Sequence, residues 1–140
     1  MALCEAPPLM ARKRLKSTSP YFVYINFGAL PSSSMTAQLI NRAGEIKRVL
    51  AALYGPRLIA ALVYGSHARG EADEESDLDV LIVLDRVDHY AAEVDRTSEI
   101  IGSLSLEYGL SISRVFLSDD EWLHGDTVFL QNVREEAIAV

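Results

Sequence analysis

The sequence predicts an α+β fold, a small mixed sheet with helices packed on it. Three observations carry that expectation. Apolar residues recur at helical spacing over 35–53 and 90–108. Short, mainly apolar runs occupy 59–64, 78–84 and 112–117. The two kinds of segment alternate, with no internal repeat or low-complexity tract.

The first helix pattern opens after Ser34, a natural N-cap, and runs through Met35, Leu39, Ile40, Ala43, Ile46, Val49, Leu50 and Leu53 until Gly55-Pro56 stops it. Ile59–Tyr64 is a short strand that turns on Gly65-Ser66, and residues 71–76 form a polar, acidic loop. Leu78–Leu84 is nearly all apolar, the signature of a strand buried on both faces. The second helix is marked by Tyr90, Val94, Ile101, Leu104 and Tyr108, with Gly109 as its C-cap. Ile112–Leu117 is a third strand, Ser118-Asp-Asp-Glu121 is a capping box before a short helix holding Trp122, and a last helix over 128–136 leads into Ala-Ile-Ala-Val. Trp122 is expected in the core, and His89 and His124 on the surface. A loop joins the first two strands, which favours an antiparallel pair. A helical crossover joins the second and third, which favours a parallel one.

At 140 residues, 49% hydrophobic and 24% charged, the chain has the size and composition of one soluble globular domain. No apolar run approaches the roughly 20 residues that span a bilayer. The single cysteine, Cys4, can form neither an internal disulfide nor a cysteine metal cluster, so a cytoplasmic setting is expected. The net charge of −7 is unevenly spread. Residues 1–34 carry Arg12, Lys13, Arg14 and Lys16 against Glu5, whereas 35–140 hold nine basic and nineteen acidic side chains. So acidic a body repels phosphate backbones, and no general nucleic-acid binding is expected. Residues 1–34, rich in proline and serine, read as a poorly ordered or misassigned extension whose one strand-like run is Tyr21–Phe27, with Met35 as the functional start and 35–140 as the working domain.

The chemistry concentrates between 63 and 84. Asp77 and Asp79 are two residues apart at the mouth of a strand, so both carboxylates project from one face. An oxygen-only pair suits a hard cation, Mg²⁺ or Mn²⁺. A solvated loop exit is the plainer reading of that pair alone. Gly65 allows a ligand close to the backbone. If Ser66 opens a helical turn through Ala68, its N–H groups and hydroxyl can hold phosphate oxygens. In an antiparallel pair those two strand ends are neighbours, which places a phosphate-holding turn beside a metal-holding pair. That arrangement serves phosphoryl or nucleotidyl transfer by positioning and charge neutralisation.

Gly65-Ser66, ten intervening residues and Asp77-x-Asp79 resemble the GS-x10-D-x-D signature of the polymerase-β-like nucleotidyltransferase superfamily. The form GSHARG…SDLDVLIVL is similar to its minimal nucleotidyltransferase (MNT) domains, over roughly residues 35–140. The resemblance implies the nucleotidyltransferase fold, a nucleoside triphosphate (ATP being expected) bound with Mg²⁺ or Mn²⁺, and transfer of a nucleoside monophosphate, expected to be AMP. It implies a HEPN-domain toxin as acceptor or binding partner. Gly65 and Ser66 would contact the triphosphate, and Asp77 and Asp79 would bind metal as the catalytic pair. Arg69 would either touch phosphate or pair with the acidic loop. His67 stands where many relatives carry arginine, and a solvated turn residue is its plainer reading. Active members of the family place a third carboxylate on the next strand, yet Ser111, Ile112 and Ser113 stand there. Asp119 and Asp120 fall on the order of 20 Å away, and Glu107 is a distant candidate. Nucleotide and metal binding can survive that departure. Turnover is what it puts at stake, so an antitoxin that acts by binding its partner is the alternative reading.

Overall fold

The strand that carries Asp79 is one of the two inner strands of the sheet. The computed structural model describes residues 36–73 and 75–140. The expectations for the 1–34 extension, the Tyr21–Phe27 run, Cys4, the Ser34 cap and the Met35 start lie outside the described residues. In order, the elements are helix α1 (Thr36–Tyr54), a 3-10 turn (Gly55–Arg57), strand β1 (Leu58–Tyr64), helix α2 (Ser66–Arg69), strand β2 (Leu78–Leu84), helix α3 (Tyr90–Tyr108), strand β3 (Ile112–Ser118), helices α4 (Asp119–His124) and α5 (Val128–Glu136), and strand β4 (Ile138–Ala139). The sheet order is β3-β2-β1-β4. β1 and β2 are antiparallel, β2 and β3 parallel, and β4 is antiparallel to β1. The mixed α+β fold and both expected pairings are observed.

Each face of the sheet has its own helices. On one, Leu39, Ala43, Ile46 and Leu50 of α1 and Ile101 and Leu104 of α3 close over Val63, Val80 and Ile82. On the other, Trp122 of α4 and Leu130 and Val133 of α5 close over Leu62, Leu81 and Val83. β2 is sandwiched between them. Within it only Asp79 escapes full burial, while Leu78, Val80, Leu81, Ile82, Val83 and Leu84 are all 0% exposed. A β2 so buried has one usable register, because slipping by a residue would send Asp79 into the opposite core.

The predicted boundaries hold for β2, α3 and α5, while β1 and β3 each gain one residue at an end. Ser118 accepts from the Glu121 N–H and Glu121 reaches back to the Ser118 N–H, the capping box read from sequence. Trp122 is core, as expected, and His89 and His124 are exposed. Two helix positions differ from the pattern: Ile40 is 60% exposed and Tyr90 47%, the latter resting edge-on against Phe116. The C-terminal apolar tail forms β4, a two-residue strand too short to show an alternation of its own.

At the end of the sheet away from Asp79, a buried carboxylate ties four elements together. Glu93 accepts from the Tyr54 hydroxyl (2.8 Å) and from Arg57 (3.1 Å), and Arg57 also pairs with Asp85 at 3.2 Å. Burial raises the Glu93 pKa, but donation from Tyr54 and Arg57 outweighs it and holds the carboxyl below its ordinary value. A depressed folded value adds stability above the usual carboxylate range, and that stability is lost as pH falls through the lowered value. Glu93→Ala leaves the Tyr54 hydroxyl without its acceptor and Arg57 without its buried counter-ion. It is expected to cost about 3 kcal/mol in urea denaturation at neutral pH, and less at acid pH. An equal cost at both pH values would refute the linkage.

Candidate active site

Gly65 and Asp79 meet where β1 ends and β2 begins. Tyr64 pairs with Asp79 in the antiparallel register, so the turn after Tyr64 arrives directly at that carboxylate. Gly65 is buried at φ 75°, ψ −153°, a conformation open to little besides glycine. A Cβ at this position would collide with Asp79 Oδ2 and lie 3.3 Å from its Cγ. Glycine is therefore required twice over, for the backbone and for the carboxylate packed against it. α2 follows at once, its first turn closed by the Arg69 N–H on the Gly65 carbonyl (3.1 Å). The expected helical turn at Ser66 is present and extends to Arg69.

Asp79 is half-buried and Asp77 is exposed. Burial first, and then the neighbouring Asp77 charge, raise the Asp79 carboxyl above its ordinary value, and a hydrogen bond with Ser113 only partly offsets them. Two like charges with no fixed cation between them are the condition a divalent ion relieves. Among the described residues, no group of three or more His, Cys, Asp or Glu side chains could hold a metal ion. Asp77 and Asp79 offer two carboxylates, and two oxygen donors of this kind would suit a Mg²⁺ that completes its shell with water and phosphate oxygens.

The parallel register sets Ser113 beside Asp79 and Ile112 beside Leu78. No acid lies on β3 next to the pair, as the sequence indicated. Ser118 pairs with Leu84, so Asp119 and Asp120 begin at the opposite end of the strand. Glu107 is exposed in the last turn of α3, where its charge acts on Tyr108.

Arg69 pairs on two sides: Nε donates to Glu71 at 2.9 Å and Nη1 to Glu136, also at 2.9 Å. His67 is half-buried and donates through Nε2 to the Ser76 carbonyl (3.2 Å), which corrects the solvated reading. The acidic loop also has internal order. Asp73 accepts from the Ser76 hydroxyl and the Glu75 N–H, and the Asp73 N–H donates to Ser76 Oγ. Glu136 was not foreseen, because it lies 71 residues from the glycine whose N–H it accepts. The Tyr64 ring stands edge-on to Phe129 of α5 (5.6 Å), and burial, then the Asp79 charge, push its hydroxyl up to about 12. A cleft of about 720 Å³ runs along α3 and the free edge of β3, with Glu75, Asp77, Ser111 and Arg114 among its walls. Asp79 is not among them, so the cleft reaches one carboxylate of the pair and not the other.

A glycine turn abutting an Asp-x-Asp strand, in this topology, defines a class, and the chain belongs to the family described as the nucleotidyltransferase domain, whose model matches residues 44–138. Among curated proteins it is similar to two from Methanocaldococcus jannaschii, MJ0141 and MJ0604, provisionally named protein adenylyltransferases. It is 32% identical to the first over 56% of this chain and 78% of the relative, and 33% identical to the second over 54% and 70%. Among solved structures, a toxin–antitoxin crystallised with AMP-PNP matches with TM-score 0.51 at 16% identity, over 69% of this chain and 70% of that one. A provisionally assigned nucleotidyltransferase from Sulfolobus solfataricus matches with TM-score 0.51 at 17% identity, over 81% and 90%. At those identities the structural likeness speaks to the fold, which is that of the family. No helix among the described residues is long and apolar enough to cross a membrane.

Proposed function

We propose that this chain binds a nucleoside triphosphate, ATP, with Mg²⁺ or Mn²⁺ and transfers AMP to a protein acceptor, a HEPN-type toxin partner. The observation that carries the reading is the contact between Gly65 and Asp79, which brings the Gly65-Ser66 turn and the Asp77–Asp79 pair to one point. The adenylyltransferase names of the two relatives support adenylyl transfer to protein. The toxin–antitoxin of the same fold, crystallised with AMP-PNP, supports the triphosphate and the partner class.

Asp77 and Asp79 would hold the cation. When bound, it would neutralise triphosphate charge and orient the α-phosphate for in-line attack. Gly65, lacking a side chain, admits the phosphates to the backbone, and the Ser66 N–H and hydroxyl donate to them. In the transfer, an acceptor hydroxyl oxygen bonds to the α-phosphorus, the bond to the bridging oxygen breaks, and pyrophosphate leaves. The hydroxyl proton needs an acceptor, which Ser113, the β3 residue beside Asp79, does not supply because it carries no basic group.

That serine also favours a second reading, a protein that holds nucleotide and neutralises its partner by binding, with slow or no turnover. Calorimetry with ATP and Mg²⁺ tests what both readings share. Binding is expected for the parent and is lost, by about 100-fold or more, in Asp77→Asn/Asp79→Asn. Equal binding by the double variant would reduce the carboxylates to a loop exit. Intact mass of a co-expressed HEPN partner then separates the readings: an added AMP marks the enzyme, and a stable unmodified complex marks the binder.

A further inference from the structure

We infer that Glu136, at the end of α5, is a positioning residue of the transfer site, fixing the Gly65–Arg69 turn against Asp79. The inference rests on the nucleotidyl-transfer reading and adds to it a residue outside the 65–79 motif.

The geometry is two-handed. Glu136 Oε1 accepts from the Gly65 N–H at 3.0 Å, and Oε2 accepts from Arg69 Nη1 at 2.9 Å. One carboxylate therefore grips both ends of the Gly65–Arg69 segment. The sheet delivers it there: β4 pairs Ile138 with Val63 and Ala139 with Leu62, and that antiparallel register, continued outward, sets residue 136 opposite residue 65. The platform behind it is firm. Val133 is 1% exposed, the Ala137 N–H closes the helix on the Val133 carbonyl at 2.8 Å, and the Glu136 side chain is itself only 20% exposed.

The other side of Gly65 is closed by Asp79, which occupies the space a Cβ would take. The turn is thus held between two carboxylates. Asp79 bounds its approach to β2, and Glu136 keeps it from swinging away. If Ser66 holds phosphate while Asp79 holds the cation on that phosphate, the separation of the two must be set to a fraction of an ångström. Arg69 is committed to Glu71 and Glu136, so its charge balances the acids behind the turn.

The test uses the full chain, a non-hydrolysable ATP analogue and Mg²⁺, with affinities measured well below the melting midpoint of every variant. Glu136→Ala removes both contacts and is expected to weaken binding about 10-fold, the size of one lost charge-assisted hydrogen bond. Glu136→Gln keeps an acceptor for the Gly65 N–H and is expected to restore most of that loss, to within about 3-fold of the parent. Glu135→Ala, at the exposed neighbouring position, should leave the affinity unchanged. A residue that serves only overall stability would lower the melting midpoint without this graded response. Parent-like affinity in Glu136→Ala overturns the inference. Tighter binding also overturns it, because Glu136 would then compete with phosphate for the Gly65 N–H and Arg69. If the parent itself fails to bind the analogue, the nucleotidyl-transfer reading falls and this role falls with it. That result is distinct from a binding parent with an indifferent variant.

Discussion

Ser113→Asp is expected to raise AMP transfer by about 10²–10⁴-fold, the usual worth of a positioned base. Ser113 lies beside Asp79 in the parallel register, so a carboxylate there would face the pair across a single strand spacing. Its addition has a cost. Asp79 is already raised by burial and by Asp77, and a third like charge raises it further. Without metal the variant should therefore be less stable than the parent at neutral pH. Both states are expected to converge at acid pH, where the carboxylates protonate, and in Mg²⁺, which neutralises them. The readouts are the intact mass of the proposed HEPN-type partner after incubation with ATP, and melting with and without Mg²⁺. Robust modification by the parent, abolished in Asp79→Asn, would show that another group takes the proton.

Gly65→Ala is expected to damage the site more than any other single methyl group could. At φ 75° and ψ −153° an alanine is strained by about 1–3 kcal/mol. Its Cβ would also meet the Asp79 carboxylate, which must swing away from the turn to make room. Stability should fall by about 2 kcal/mol or more, and binding of Mg²⁺ with the ATP analogue should fall about 100-fold, as the turn is levered off the carboxylate pair. Chemical denaturation and calorimetry measure the two effects. An alanine variant as stable and as tight-binding as the parent would mean that the turn does not rest on Asp79.

Most of the fold was legible because its signals are local. Buried β2 is a continuous apolar run, α3 ends on Gly109, and α4 begins at a capping box whose two halves are three residues apart. The Gly65-Ser66 and Asp77–Asp79 elements were legible for the same reason, since strand periodicity fixes a shared face and the intervening length fixes their meeting. Long-range pairing stayed hidden. Glu136 is one of two adjacent glutamates on a polar helix end, and only the register of β4 with β1 brings it to Gly65. β4 owes its strand character to that pairing, as two residues carry no period. His67 and Ser76 are likewise joined by the path of a loop, which composition does not encode. At Ile40 and Tyr90 the periodicity named more apolar residues than the sheet has room to cover.

The sheet order separates what this fold must keep from what it can exchange. Asp79 stands on a strand walled in on both faces, where any change of register would dismantle two cores at once. Ser113 stands on the outermost strand, half-buried, with open space along one side. The architecture thus separates the strand that carries Asp79 from the strand on which a proton acceptor would stand. An exchange at the rim leaves both cores on β2 untouched. Catalytic competence in such a molecule is a detachable trait, carried where the protein has least to lose.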